Sequence, residues 1–313
     1  HPSPGRHNPP LSAETPRHAS APAMIRPILA LAALLSCASA LSPSPRPSLL
    51  RTPPTLRLAG GGPAAAQPSG TKSAHSLADE RQVFVLSDAD AISAAVVESV
   101  AAIGAKCIAD KGSFTMCVPG GSIVKALSKL PKDAMDFSKV NVFFANERIG
   151  EFKCYKGAID SFVDKLSIPH ENVHKVPDAE PADAASAYEA EMLTCVPKDD
   201  NGMPVMDLVL LGTGEDGHVG SLHPGSDEIM QSGKGKIVLP IDKSGKKSIA
   251  ASLDLICASD NVILSAAGAA RAPMVQSALS GTFDEWSLPA GLVKCKGSTV
   301  WLCDEGSIAD FAK

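Results

Sequence analysis

Aromatic side chains are scarce: two Trp, two Tyr and nine Phe in 313 residues. With a net charge of −5, that leaves neither a stacking platform for bases nor a basic footprint, so nucleic acid is not an expected partner. The eight Cys include no Cys-x-x-Cys pair and no Cys/His metal spacing. Cys37 falls in a leader-like region, and the odd number remaining excludes a full disulfide framework. Most read as small buried hydrophobes, which favours a reducing compartment. No repeat of fixed period stands out. The one uninterrupted apolar run, within 24–40, is too short for a good membrane span, so the mature form is expected to need no membrane. Whether it is a monomer or a dimer stays open.

What is present divides unevenly. Residues 1–23 are rich in Pro, His and Ser and read as leader or disordered sequence. Residues 24–40, "MIRPILALAALLSCASA", show the charged start, apolar run and small-residue cleavage site of a signal peptide. Residues 41–76 carry Arg, Ser, Thr and Pro, and no acid occurs between Glu14 and Asp79, a composition that suits an organelle transit peptide. Signal plus transit resembles the bipartite leader of a plastid bounded by extra membranes. A plastid stroma is therefore expected, with the secretory pathway or cytosol as alternatives.

From 77 to 313 strands alternate with helices. "RQVFVLSD", "SFTMCV", "VNVFFANER", "MDLVLLGTG", "GKIVLPID", "DNVILSAAG" and "STVWLCD" read as strands. "DADAISAAVVESVAAIGAK", "IVKALSKLP", "YKGAIDSFVDKL", "AASAYEAEMLTCV" and "ARAPMVQSALSG" read as helices, the first capped by Ser87 or Asp88 and the second stopped by Pro131. This predicts a single doubly wound α/β domain, a mostly parallel, Rossmann-like sheet with helices on both faces. Ligands in such sheets bind beyond the carboxyl ends of the strands. "VPGGS", "ANER" and "GTGEDGH" are the candidate segments.

The last of these contains Gly212, Gly214 and Gly217, which spell the dinucleotide fingerprint G-x-G-x-x-G. That motif needs a helix directly after it, and Pro224-Gly225 interrupts one within two turns. Glu215 and Asp216 would also repel a pyrophosphate. A phosphate loop fails too, because His218 and Val219 stand where it needs Lys and Ser/Thr. The segment reads better as a turn that presents Asp216 and His218, with Gly217 keeping the backbone thin between them. A neutral imidazole with a carboxylate two residues before it makes a general base. The simpler alternative is a histidine that merely caps a turn.

"DLVLLGTGEDGHVGSLHPGS" resembles the signature segment of the 6-phosphogluconolactonases, in the superfamily that also holds the glucosamine-6-phosphate deaminases. "CVPGGSIVKAL", "VNVFFANER", "LSIPHENVHKV" and "LPAGLVKCKGSTVWLCDEGS" resemble four further family segments, in the same order. The resemblance covers about residues 77–310. It implies a sugar-phosphate lactone, 6-phosphoglucono-δ-lactone, as small-molecule partner, opened by water without a metal or organic cofactor. His218 and Asp216 are then the catalytic residues. Gly120, Gly121 and Ser122, at a helix start, would hold the phosphate, with help from Arg148 and from Lys243, Lys246 or Lys247. Gly214 and Gly217 would line the substrate, with Asn146 and Glu147 beside it.

The chain departs from the family in three places. Asn146 replaces the Asp before Glu-Arg. The loop "RIGEFKCY" is short. The basic loop around Lys243 lacks the usual prolines and the arginine that begins the next strand. An isomerase/deaminase would need that Asp as its C1–C2 proton carrier, and an amide cannot serve. It would also need an acid soon after the catalytic His, where this chain has "SLHPGS". A third alternative is a sugar-phosphate-binding protein without turnover, although such a protein has no need of His218 and Asp216.

Overall fold

A computed structural model describes residues 66–311; the expected signal peptide, and the transit-like segment up to residue 65, lie outside them. The elements run β1 (Ser73–Ser76), β2 (Gln82–Leu86), α1 (Ala89–Lys111), β3 (Phe114–Val118), α2 (Ser122–Leu127), β4 (Val140–Phe144) and β5 (Asn146–Arg148). After these come α3 (Lys153–Ala158), a π-helical turn (Ile159–Val163), α4 (Asp164–Leu166), α5 (Pro181–Cys195), β6 (Leu208–Gly212), β7 (Val238–Lys243) and β8 (Lys246–Ala251). The chain continues through α6 (Leu253–Ala258), β9 (Asn261–Ala266), α7 (Ala272–Ser280), α8 (Pro289–Leu292) and β10 (Ser298–Asp304).

Seven strands form one sheet in the order β1-β2-β10-β9-β6-β3-β4. All its pairings are parallel except β1 with β2. Its strands are apolar on both faces, as helices on both sides require. Phe114, Met116, Val142, Leu208, Leu210 and Ile263 point into the core beneath α1, α2 and α3. Their neighbours Cys117, Phe143, Val209, Leu211 and Leu264 point into the other core, beneath α5, α6 and α7. α1 is apolar enough to cross a membrane by length and composition. Here Ile92, Val96, Val100 and Ile103 bury one face of it, and Asp88 caps its start by accepting from Ala91 N at 2.9 Å.

The doubly wound sheet agrees with the sequence, but four details differ. "VNVFFANER" is not one strand. The chain leaves the large sheet after Phe144, and Asn146–Arg148 joins a second, antiparallel sheet of order β5-β8-β7. Ala145 makes the step between them, its N–H donating to Val118 O and its carbonyl accepting from Ala251 N. The basic run "DKSGKKS" is the tip of the β7–β8 hairpin, not a loop. α2 ends at Leu127, short of Pro131. The fold also begins before residue 77, because Ser73–Ser76 pairs along β2.

Candidate active site

Within the large sheet the chain steps from β3 outward to β4, then returns past β3 to β6 and runs on through β9 to β10. The winding direction therefore reverses between β3 and β6, and open α/β sheets bind ligands at such a reversal. β3 ends in Gly120-Gly121-Ser122 and β6 ends in the Gly214–His218 turn. Ser122, Ser265 and Ala267 line one small hollow of about 80 Å³. Ser265 also accepts from both Thr213 N (3.1 Å) and Thr213 Oγ1 (3.0 Å), which ties the start of the β6 turn to β9.

The turn is closely fixed. Gly214 N donates to His218 O and Gly217 N to Gly214 O, at 3.0 and 3.1 Å. Ala290 N donates to Gly217 O at 2.9 Å. Arg271 donates from Nε to Thr213 O (2.9 Å) and from Nη1 to Ala267 O (2.6 Å), which clamps the base of the turn. Gly217 has φ +82°, where a side chain is strained. A Cβ there would also sit 2.1 Å from Leu288 Cδ1.

Inside the turn, His218 Nδ1 lies 2.6 Å from Asp216 Oδ1, and the same oxygen accepts from His218 N at 3.1 Å. Burial pulls the Asp216 carboxyl upward. The His218 amide, the His218 ring and, to a lesser degree, the His223 ring outweigh it and hold the group below its ordinary 3.8. Asp216 is thus a carboxylate at neutral pH and only accepts. Because a carboxylate only accepts, Nδ1 donates in the short hydrogen bond, and a neutral ring would then carry its lone pair on Nε2. The His218 side chain is 37% exposed. The hydrogen bonds orient the imidazole at the carboxyl end of a core strand, within reach of solvent.

Gly214 makes the pair possible. A Cβ on it would stand 2.2 Å from His218 Nδ1 and 2.4 Å from Asp216 Oδ1. Asn146 is near the same loop, since a Cβ on Gly220 would come 3.9 Å from its Oδ1.

The other expected residues are placed less uniformly. Gly121 precedes α2, and Gly120 packs toward Cys154 at the start of α3. Glu147 faces inward. It is fully buried, and its carboxylate accepts from Arg148 N (2.9 Å), Cys154 N (3.1 Å) and Tyr155 N (2.7 Å), closing the first turn of α3. Arg148 pairs with Glu151 at 3.2 Å. Lys243 binds Glu228 at 2.7 Å and Lys247 binds Glu180 at 2.5 Å. Lys246 faces Lys243 across the hairpin with an exposed side chain.

Two residues near the β6 turn were not singled out in the sequence. Arg271 lies within the segment read as the helix "ARAPMVQSALSG". His223 lies within "SLHPGS", yet its Nδ1 is 3.8 Å from Asp216 Oδ2 and its ring centroid 4.7 Å from that of His218. The signal was available: two histidines five residues apart, with an acid just before them.

Among the described residues, two groups bring His, Cys and carboxylate atoms within 4.8 Å of one another: His174, Glu191 and Cys195, and Asp216, His218 and His223 at the β6 turn. Each contains a short His–carboxylate hydrogen bond, of 2.7 and 2.6 Å, that accounts for its closeness. Neither is assigned to a metal.

A doubly wound sheet with a carboxylate-backed histidine at its switch point defines an α/β protein with a candidate small-ligand site at its strand ends. The family profile for glucosamine-6-phosphate isomerases/6-phosphogluconolactonase matches residues 87–301, and the chain belongs to that family. It is 34% identical over 212 residues to 6-phosphogluconolactonase 3, chloroplastic, of Arabidopsis thaliana; the match covers 63% of this chain and 65% of the relative, slightly under two thirds of that protein's length. It is 32% identical over 251 residues to the probable 6-phosphogluconolactonase 2 of the same plant, covering 73% of this chain and 94% of the relative. The fold is shared with 6-phosphogluconolactonase from Trypanosoma cruzi, with a TM-score of 0.65 at 20% identity, covering 76% of this chain and 100% of that one.

Proposed function

We propose that the protein hydrolyses 6-phospho-D-glucono-1,5-lactone to 6-phosphogluconate, the second step of the oxidative pentose phosphate pathway. The observation that carries this reading is the Asp216–His218 pair, 2.6 Å apart at the end of β6, in a chain of this family. Nε2 of His218 takes a proton from water as the water oxygen attacks the lactone carbonyl. Asp216 stabilises the imidazolium. The tetrahedral intermediate collapses, the bond from carbon to ring oxygen breaks, and His218 returns the proton to that oxygen. The Gly120–Ser122 turn, Arg148 and the hairpin lysines Lys243 and Lys246 are the proposed phosphate contacts; Arg148 and Lys243 would exchange or share Glu151 and Glu228 on binding. Gly214 and Gly217 allow the substrate close to the turn.

An isomerase or deaminase is disfavoured by Asn146, whose amide lies beside the loop where that chemistry needs a carboxylate. A plastid location is proposed from the acid-poor segment before Asp79 and from the chloroplastic relatives.

The test is lactone decay, measured against the spontaneous rate, with the lactone generated from glucose 6-phosphate. Wild-type protein should accelerate the loss. His218→Ala should lower the rate by about 10²-fold or more. Two rates equal to the spontaneous one would remove the lactonase reading.

A further inference from the structure

Asp216 is bracketed by two imidazoles. Oδ1 is taken up by the amide and ring of His218, while Oδ2 faces His223 at 3.8 Å. The two rings lie 4.7 Å apart at 38°. His223 is 50% exposed, so protons reach it freely. Its place is fixed by the turn that follows, in which Ser226 N donates to His223 O and Gly225 N to Trp286 O. Glu228 binds Lys243, and Glu215 and Asp284 border a hollow of about 400 Å³ shared with Asp216.

One carboxylate cannot fully compensate two imidazolium charges this close together. Two unit charges at about this separation repel enough, even at the dielectric of bulk water, to divide their titrations by roughly half a pH unit. We propose that His223 is a positioning residue for the Asp216–His218 pair: it competes with His218 for the charge of Asp216, so the two rings hold one proton between them over a range where independent histidines would hold two. His218 then stays available as a neutral base at lower pH than it would alone. Such coupled groups titrate in two steps that belong to the pair. The rate consequence rests on the lactonase reading; the coupling itself does not.

The experiment compares full-length wild type with His223→Phe, which keeps a ring against His218 and removes the charge. Ring resonances of His218 are followed by NMR from pH 4 to 9, and kcat/KM over the same range. In the wild type, His218 should titrate in two steps. In His223→Phe it should titrate in one, and the acid limb of kcat/KM should move up by about half a unit to one unit. The alkaline plateau should stay within about twofold, because a neutral His223 leaves the pair as it is. Raising the salt should narrow the difference. A single, identical His218 step in both proteins, with unmoved acid limbs, would overturn the proposal. Should the Phe variant fail to fold, His223→Gln carries the same comparison. If wild type shows no turnover, the lactonase reading fails, and the NMR arm still decides the coupling.

Discussion

A missing side chain does as much at this site as the Asp216–His218 pair. The backbone at Gly214 lies outside the left-handed region, so its conformation would accept alanine. What forbids a Cβ is that pair itself, 2.2 to 2.4 Å away. Gly214→Ala should therefore fold with a modest loss of thermal stability while activity drops by about 10²-fold, comparable to losing the base. The lactone assay and a thermal melt on one sample check this. A variant that keeps wild-type turnover would mean that His218 works from another orientation. The sequence showed this residue only as one letter of a nucleotide fingerprint. Whether it served a phosphate or a histidine depended on contacts across four residues, and spacing alone does not contain them.

Element by element, the main sheet was legible because its strands are short, unbroken apolar runs, and such runs survive only where both faces are covered. The small sheet was hidden for two reasons. β8 opens with Lys246, Lys247 and Ser248, which read as solvated charge, and β5 is continuous in composition with β4. The structural part of Glu147 was hidden for a related reason, since an acid beside a strand-end Arg looks functional from sequence. Only its burial and its three backbone partners identify it as the brace of α3. Glu147→Ala should therefore destabilise the fold by about 2–4 kcal/mol, since buried N–H groups lose a charged acceptor. Turnover per folded molecule should remain. Denaturant titration alongside kcat separates the two effects, and a fall in kcat at unchanged stability would return Glu147 to the site.

At the scale of the molecule, the cysteines behave as the sequence implied. Burial pushes the thiols of Cys117, Cys154 and Cys303 up to about 12, with Cys117 and Cys303 almost wholly enclosed. The thiolate is the reactive form, so these three should resist alkylation at pH 7.5 for as long as the protein stays folded and react on unfolding. Peptide mass mapping before and after denaturant reads this directly; labelling of native Cys117 would mean that the core opens there.

The single-residue step at Ala145 has a consequence for selectivity. Arg148, Lys243 and Lys246 belong to the small sheet, whereas His218 sits in the turn that follows β6 of the large one, and Ala145 is bonded into both. On the proposed reading, a substrate would be gripped by its charged end on one sheet and cut at its carbonyl on the other. The two sheets would then act as the jaws of a caliper set by Ala145. Ligands would be selected by the distance between phosphate and ester carbon, and a lactone of the right chemistry but shorter reach would bind at one jaw and never meet the base.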